Sequence, residues 1–170
     1  MVADKPPRQI IVCDASPLIF LAKLNELDLI ELALGARPIV HSCVVREVLS
    51  ERAAPVETER LQTWLRTVEV VDDAGTLIES QALSLSDRTS LAWALEHGAD
   101  WFLVDERLLR RFAKERGIRV IGFCGLLLRA GEQGLFKKTE VQKLLDTSIR
   151  EHGFRISIQL YQHIRNRLKT

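Results

Sequence analysis

Short apolar runs alternate with longer amphipathic stretches along this chain. The runs at 9–13 and 101–104 are almost wholly apolar, which is typical of strands buried on both faces of a parallel sheet. Strands are predicted at 9–13, 37–41, 67–71, 101–104 and 118–122. Helices are predicted at 16–24, 27–34, 42–51, 56–66, 77–83, 86–97 and 106–116, and the chain is mostly helical from 125 onward. This alternation predicts an α/β fold with a central parallel sheet.

Capping residues and charge pairs refine several helix boundaries. Ser16 precedes Pro17, so we predict Ser16 as an N-cap with proline at the first helical position. Glu106 stands four residues before Arg110, a spacing that predicts an ion pair on a helix surface. We find no internal repeat or long linker, and we predict a single domain over 1–170. Its core covers about 9–136, with a helical C-terminal extension over about 137–170.

The composition is that of an ordinary globular protein. The 170 residues are 46% hydrophobic and carry a net charge of +1, so no overall basic excess indicates a nucleic-acid binder. The three cysteines, Cys13, Cys43 and Cys124, are far apart, which argues against a disulfide framework and fits a reducing cytoplasm. The polar N-terminus has no signal-like apolar segment, and no run is long enough to span a membrane. We therefore expect a cytoplasmic protein without membrane association.

Acidic residues stand at comparable places along the predicted elements. Asp14 directly follows the first strand, and Asp105 directly follows the strand at 101–104. The carboxyl ends of parallel strands meet at one edge of a sheet, where α/β folds bind ligands. Asp87 falls on the apolar stripe of its helix, and Glu47 lies at the border of an apolar helical arc. We expect these carboxylates to converge on one cleft.

Each of these acids alone also has a structural interpretation. Asp14 can organise the turn before a helix, and Asp105 can serve as an N-cap. Asp87 completes a possible capping box with Ser84. Glu47 can be a solvated helix residue. The joint pattern favours function, because convergent carboxylates repel one another unless a cation lies among them. Hard oxygen ligands of this kind suit Mg²⁺ or Mn²⁺, which assist the hydrolysis of phosphodiester bonds.

The acidic motifs, taken in order, resemble PIN-domain nucleases, and among them the small VapC-like toxins. The matching pieces are "DASPLIFLAKL" with Asp14 and Ser16, "VVREV" with Glu47, "LSLSDRTSLAWAL" with Asp87, and "FLVDERLLRRFAKERGIRVIGFCGLLLRAGEQGLF" with Asp105. The later "HGFRISIQLYQHI" is similar to the end of one branch, so the resemblance covers about 10–164. One motif departs from the pattern, because this branch usually has Gly-Glu where this chain has Ser-Asp87.

The resemblance implies a three-layer α/β/α fold and a cleft of acids that binds Mg²⁺ or Mn²⁺. Asp14, Asp87 and Asp105 are the implied metal ligands, and Glu47 binds a second metal or orients the water. Ser16 is expected to hold Asp14 or the water network. The implied substrate is single-stranded RNA. The implied partners are a second copy of the chain, in a homodimer, and a small antitoxin protein.

Basic residues in two stretches are candidates for holding the RNA backbone. The first stretch contains Arg107, Arg110, Arg111, Lys114, Arg116 and Arg119. The second contains Arg150, Arg155, Arg165, Arg167 and Lys169. Apolar residues of the first two helices are candidates for a dimer face or partner groove. They are Leu18, Ile19, Leu21, Leu24, Leu27, Leu29 and Ile30.

Other functions fit the sequence less well. A dehalogenase-type phosphatase needs a second Asp two residues after Asp14, where this chain has Ser16. A response-regulator receiver needs an acidic pair and a lysine near the last strand, and both are absent. A PIN fold without catalytic activity, acting as a binding or scaffold module, remains an alternative. So does a nuclease directed at DNA or at a particular nucleic-acid structure.

Overall fold

The computed structural model describes residues 8–50, 53–73 and 75–169. The strands are β1 (Ile10–Cys13), β2 (Arg37–His41), β3 (Glu69–Val71), β4 (Trp101–Leu103) and β5 (Arg119–Ile121). The helices are α1 (Ala15–Leu24), α2 (Leu29–Leu34), α3 (Ser42–Val48), α4 (Pro55–Leu65), α5 (Leu85–Glu96), α6 (Arg107–Glu115), α7 (Phe123–Glu132), α8 (Lys138–Arg150) and α9 (Ile158–Lys169). Every predicted strand is present within two residues of its predicted bounds.

The strands form one five-stranded sheet in the order β3-β2-β1-β4-β5, and every pairing is parallel. The chain builds outward from β1 to β3 on one side, then returns to add β4 and β5 on the other. The order therefore reverses between β1 and β4. In open parallel sheets, the crevice at the carboxyl ends of such strands is the usual ligand site.

Side chains alternate between the two faces of the sheet, and each face is covered by helices. Ile11 and Cys13 face the larger core, which also contains buried residues of α1–α4 and α7–α9. Val12 and Phe102 face the smaller core, which is closed by α5 and α6. Both faces are apolar because both are covered, as expected for a parallel sheet. The three-layer α/β/α prediction is confirmed.

Two predictions about helices are wrong. The residues at 77–83 do not form a helix. The extended backbone of Ser84, the N-cap of α5, ends any helix before it, and Thr76 N donates to Glu96 Oε1 at 2.5 Å at the start of the segment. Asp14, not Ser16, is the N-cap of α1, so Ser16 lies inside the helix. The prediction that α3 extends to 51 ends outside the described residues, and the described helix stops at Val48.

The apolar residues proposed for a dimer face mostly belong to the core. Leu18, Leu21, Leu27, Leu29 and Ile30 are buried. Ile19 and Leu24 are partly buried and pack against the same cluster. The sequence pattern could not show this, because α7 and α8 come from a later part of the chain, where α7 packs against α1 and α2 and α8 packs against α1. None of the described helices is long and apolar enough to cross a membrane.

Candidate functional site

Asp14 and Asp105 lie at the carboxyl edge of the sheet, where the strand order reverses. Asp14 follows β1, and its backbone N–H donates to Leu103 O at 2.9 Å, which fastens it to the end of β4. The Asp14 side chain is only 5% exposed and makes no hydrogen bond that caps α1. Asp105 stands two residues after β4. The parallel sheet thus brings together two acids that are far apart in sequence.

Asp87 and Glu47 reach the same edge from two helices that pack against each other, α5 and α3. Cys43 of α3 touches Ser86 of α5, with Ser86 Oγ 3.5 Å from Cys43 Sγ. Glu47 lies one turn after Cys43. Asp87 is partly buried and completes a capping box, in which Asp87 N donates to Ser84 Oγ and Ser84 N donates to Asp87 Oδ2. The structural interpretation of Asp87 is therefore confirmed, and it does not exclude a second role.

The other three predicted acids all act on the charge of Asp14. The pKa of Asp14 is raised to about 7, chiefly because burial removes its carboxylate from water. The backbone N–H of Ala15 opposes this by stabilising the charge. Repulsion from Asp87, Glu47 and Asp105 then raises the pKa further. All three acids therefore lie close enough to Asp14 to act on its charge, and their convergence on one metal site stays a prediction.

Asp105 is held at the beginning of α7. Its Oδ1 accepts a hydrogen bond from Phe123 N at 2.9 Å, which supplies the cap that the N-cap residue Gly122 lacks. A Cβ on Gly122 would collide with Asp105 Oδ1 and lie 2.8 Å from Arg110 Nη1. Burial raises the pKa of Asp105, while Phe123 N and the Arg110 guanidinium lower it. Gly122 is therefore required for the close approach of Asp105 and Arg110.

This placement corrects two predictions about the start of α6. The N-cap is Glu106, not Asp105, and Glu106 Oε2 accepts from Leu109 N at 2.5 Å. The predicted pair between Glu106 and Arg110 does not form, because Arg110 Nη1 donates to Val104 O at 2.7 Å. Asp105 therefore does not cap α6, and its side chain instead accepts a hydrogen bond from the first N–H of α7.

The carboxylates fit a divalent cation by donor type. Asp105 Oδ2 is buried and has no hydrogen-bond partner within the described part of the chain. Such an atom is costly to bury unless a cation or donor compensates it. In the described ranges, however, no three His, Cys, Asp or Glu side chains are grouped closely enough to hold a metal ion as they stand. Ligation by three of these acids therefore requires a side-chain movement, and Asp87 is at present bonded to Ser84 N.

The other predicted residues have different surroundings. The Ser16 hydroxyl makes no hydrogen bond with any described residue, so its expected role beside Asp14 stays a prediction. His41 caps α3 by accepting from Cys43 N through Nδ1. Its Nε2 lies 3.0 Å from Asp73 O. Gly122 is not among the predicted site residues, although its position directly after β5 is a usable signal.

Comparison with known proteins identifies the family. A model described as DUF3368, PIN domain, matches residues 10–170. Among solved structures, the chain is similar to a PilT N-terminus domain protein, SSO1118, from the hyperthermophilic archaeon Sulfolobus solfataricus P2. That similarity has 13% identity and a TM-score of 0.48, and covers 87% of this chain and 100% of the other. A search of curated proteins finds no match. The chain belongs to the DUF3368 family of PIN domains, whose fold generally supports metal-dependent nuclease activity.

Proposed function

We propose that this protein is a Mg²⁺- or Mn²⁺-dependent ribonuclease that cleaves single-stranded RNA. The observation that carries the proposal is the Asp14 carboxyl, buried at the strand-order reversal and repelled by Asp87, Glu47 and Asp105. Burying a carboxylate beside other negative charges destabilises a protein unless a cation or a proton neutralises it. Its place in the fold is where parallel sheets bind their ligands.

In this proposal, Asp14, Asp87 and Asp105 hold the divalent ion, and Glu47 binds a second ion or orients the attacking water. The ion supplies Lewis-acid activation of the phosphodiester. The protein itself positions Asp105 through Phe123 N and keeps space for it at Gly122. Burial of Asp14 removes its own carboxylate from water, which strengthens the electrostatic interactions of that group.

The choice of RNA, and of a toxin role with a small antitoxin and a homodimer, rests on the resemblance of the motifs around Asp14, Glu47, Asp87 and Asp105 to VapC-like toxins. The burial of the α1 and α2 leucines removes one argument for the dimer. Growth arrest on expression in cells, relieved by Asp14→Asn, tests the toxin role. Co-purification with the product of an adjacent small gene tests the antitoxin.

The direct test is cleavage of a labelled single-stranded RNA by the purified protein with Mn²⁺ or Mg²⁺. We expect cleavage that EDTA abolishes and that Asp14→Asn reduces about 100-fold or more, since loss of a residue that only supports a metal ligand already costs about 10–100-fold. Asp28→Asn is the matched control, since Asp28 is an exposed acid beside α2. Equal activity of the wild type and Asp14→Asn would refute the assigned site.

Two other outcomes favour the alternatives. Cleavage of single-stranded or branched DNA in preference to RNA would assign a different nuclease. A protein that binds Mn²⁺ through Asp14 yet cuts no nucleic acid would be a binding module on a PIN fold.

A further inference from the structure

Two grooves meet at Asp105 and Arg110, which line both of them. The first, of about 480 Å³, follows α6 and is lined by Asp105, Arg107, Arg110, Arg111 and Lys114, with Glu115 at its end. We call it the α6 groove. The second, of about 470 Å³, lies between the end of β5 and the C-terminal segment. We call it the α9 groove. Because both include Asp105 and Arg110, they form one path across the candidate site.

The α6 groove is lined mainly by cations. Arg111 is within 3.7 Å of Glu115, but Arg107 and Lys114 have no ion-pair partner among the described residues. The groove has no large apolar side chain in its lining. Such a surface suits a polyanion whose charges repeat along its length, because contacts to phosphates need cations but no apolar anchor.

The α9 groove combines cations with apolar surface. Arg155 and His163 line it, and no described residue pairs with the Arg155 guanidinium. Leu160 also lines it and is 44% exposed, so its apolar surface is accessible from the groove. Phe154 contributes to the wall and is supported from behind by Phe123, with ring centroids 4.9 Å apart. The groove thus offers a flat apolar wall beside free positive charge.

We propose that a single strand of nucleic acid runs through both grooves across Asp105, and that the α9 groove holds the nucleotide next to the scissile phosphate. The base lies against Leu160 and the edge of Phe154, and Arg155 contacts the phosphate. This inference rests on the proposed function for its choice of ligand. It assigns the C-terminal segment, which is remote from the acids in sequence, to substrate binding.

An acidic amphipathic peptide is the competing occupant. It would use the apolar wall of the α9 groove, but it would need further apolar anchors at regular spacing. The α6 groove provides none, and the path continues directly to Asp105. A nucleic-acid strand, by contrast, contacts the cations of the α6 groove through its phosphates. In the α9 groove it contacts one cation and stacks a base on the apolar surface.

The test measures binding of a short fluorescent single-stranded RNA in EDTA, so that affinity is independent of cleavage. The groove variants are Arg155→Gln and Leu160→Ala. The matched controls are Lys143→Gln, at an exposed position of α8 that lines neither groove, and Ile158→Ala, in the same C-terminal segment as the groove variants but lining a separate pocket beside Tyr161. All four variants are compared with the wild type over a range of salt concentrations.

We expect each groove variant to weaken RNA binding about fivefold or more, as loss of a stacking or phosphate contact does. Only Arg155→Gln should also reduce the slope of log affinity against log salt, by about one. The controls should stay within about twofold of the wild type. Groove variants that bind RNA as tightly as the controls would overturn the proposal. An acidic amphipathic peptide that displaces the RNA and binds more tightly through Leu160 would overturn it too.

Failure of the proposed function gives a different result. If the groove variants lose RNA affinity while the wild type cuts no RNA with Mn²⁺ or Mg²⁺, the strand path stands and the ribonuclease assignment fails. If the wild type cuts RNA and the groove variants bind and cut like the controls, the ribonuclease stands and the α9 groove is not part of it.

Discussion

At the residue scale, burial of the Asp14 carboxyl lowers the free energy of unfolding without stabilising α1 through a capping hydrogen bond. Its side chain makes no capping hydrogen bond to α1, although an N-cap acid usually makes one. It is buried beside three other acids, all of which raise its pKa. A residue that destabilises the folded state in this way is expected at a functional position, where binding of a ligand offsets the destabilisation.

The raised pKa of Asp14 predicts how stability changes with pH in the metal-free protein. Its pKa is about 7 in the folded state, against 3.8 for an ordinary aspartate. Between these values the folded chain holds a proton that the unfolded chain has lost. The contribution of this group to stability is therefore fully present below about pH 4 and falls as the pH rises to about 7, with a total on the order of 2–4 kcal/mol.

Urea unfolding of the wild type and Asp14→Asn in EDTA, between pH 5 and 8, measures this effect by difference. We expect the free energy of unfolding of Asp14→Asn to increase relative to that of the wild type as the pH rises. Asp28→Asn should follow the wild type throughout. Parallel curves for the wild type and Asp14→Asn would show that Asp14 is already ionised across this range.

At the element scale, helix termini support most of the acids. Asp14 is the N-cap of α1, Asp87 lies in the first turn of α5, and Asp105 bonds the first N–H of α7. The positive end of each helix stabilises a carboxylate there. Glu47 instead lies in the last turn of α3, where the helix field opposes a negative charge. Glu47 is thus the one of the four acids that no helix N-terminus supports.

The elements that carry the four acids also explain which parts of the site the sequence could predict. Asp14 and Asp105 follow strands, and parallel strands place their carboxyl ends together, so their meeting follows from pattern alone. The approach of Glu47 and Asp87 depends on how α3 packs against α5, which no periodicity reveals. The cap of α6 was misassigned because the partner of Asp105, Phe123 N, comes from a different helix. Tertiary contacts decided each of these cases.

The two roles of Asp87 can be separated by substitution. Ser84→Ala removes the hydroxyl that accepts from Asp87 N, so it should lower the free energy of unfolding by about 1 kcal/mol. RNA cleavage should change little at a temperature where the variant is folded. Asp87→Ala should abolish cleavage at the same temperature. Urea unfolding and cleavage assays on both variants check this, and a similar loss of activity in both would mean that Asp87 serves only the helix.

At the scale of the whole molecule, strand order and chain return cooperate to build the site. The reversal of order between β1 and β4 opens the crevice, and α9 then returns to form one wall of the groove beside Asp105. Ile164 and Leu168 of α9 are buried in the core that also contains β1 residues. The C-terminal helix is thereby held by the same packing that holds the sheet, so the groove is a fixed part of the fold.

If the acids form a metal centre, a divalent ion should stabilise the whole molecule, because a ligand that binds only the folded state adds RT ln(1 + [L]/Kd) to the free energy of unfolding. Mn²⁺ should therefore raise Tm. The increase in Tm should be larger at pH 8 than at pH 6. At the lower pH a proton occupies Asp14, whose pKa is about 7, and the ion must displace that proton. Thermal unfolding with Mn²⁺ and with EDTA at both pH values measures the shift. Asp28→Asn should behave like the wild type, whereas Asp14→Asn should lose most of the shift and its pH dependence. A shift that is equal in all three proteins would place the ion elsewhere and leave Asp14 without a ligand to explain its burial.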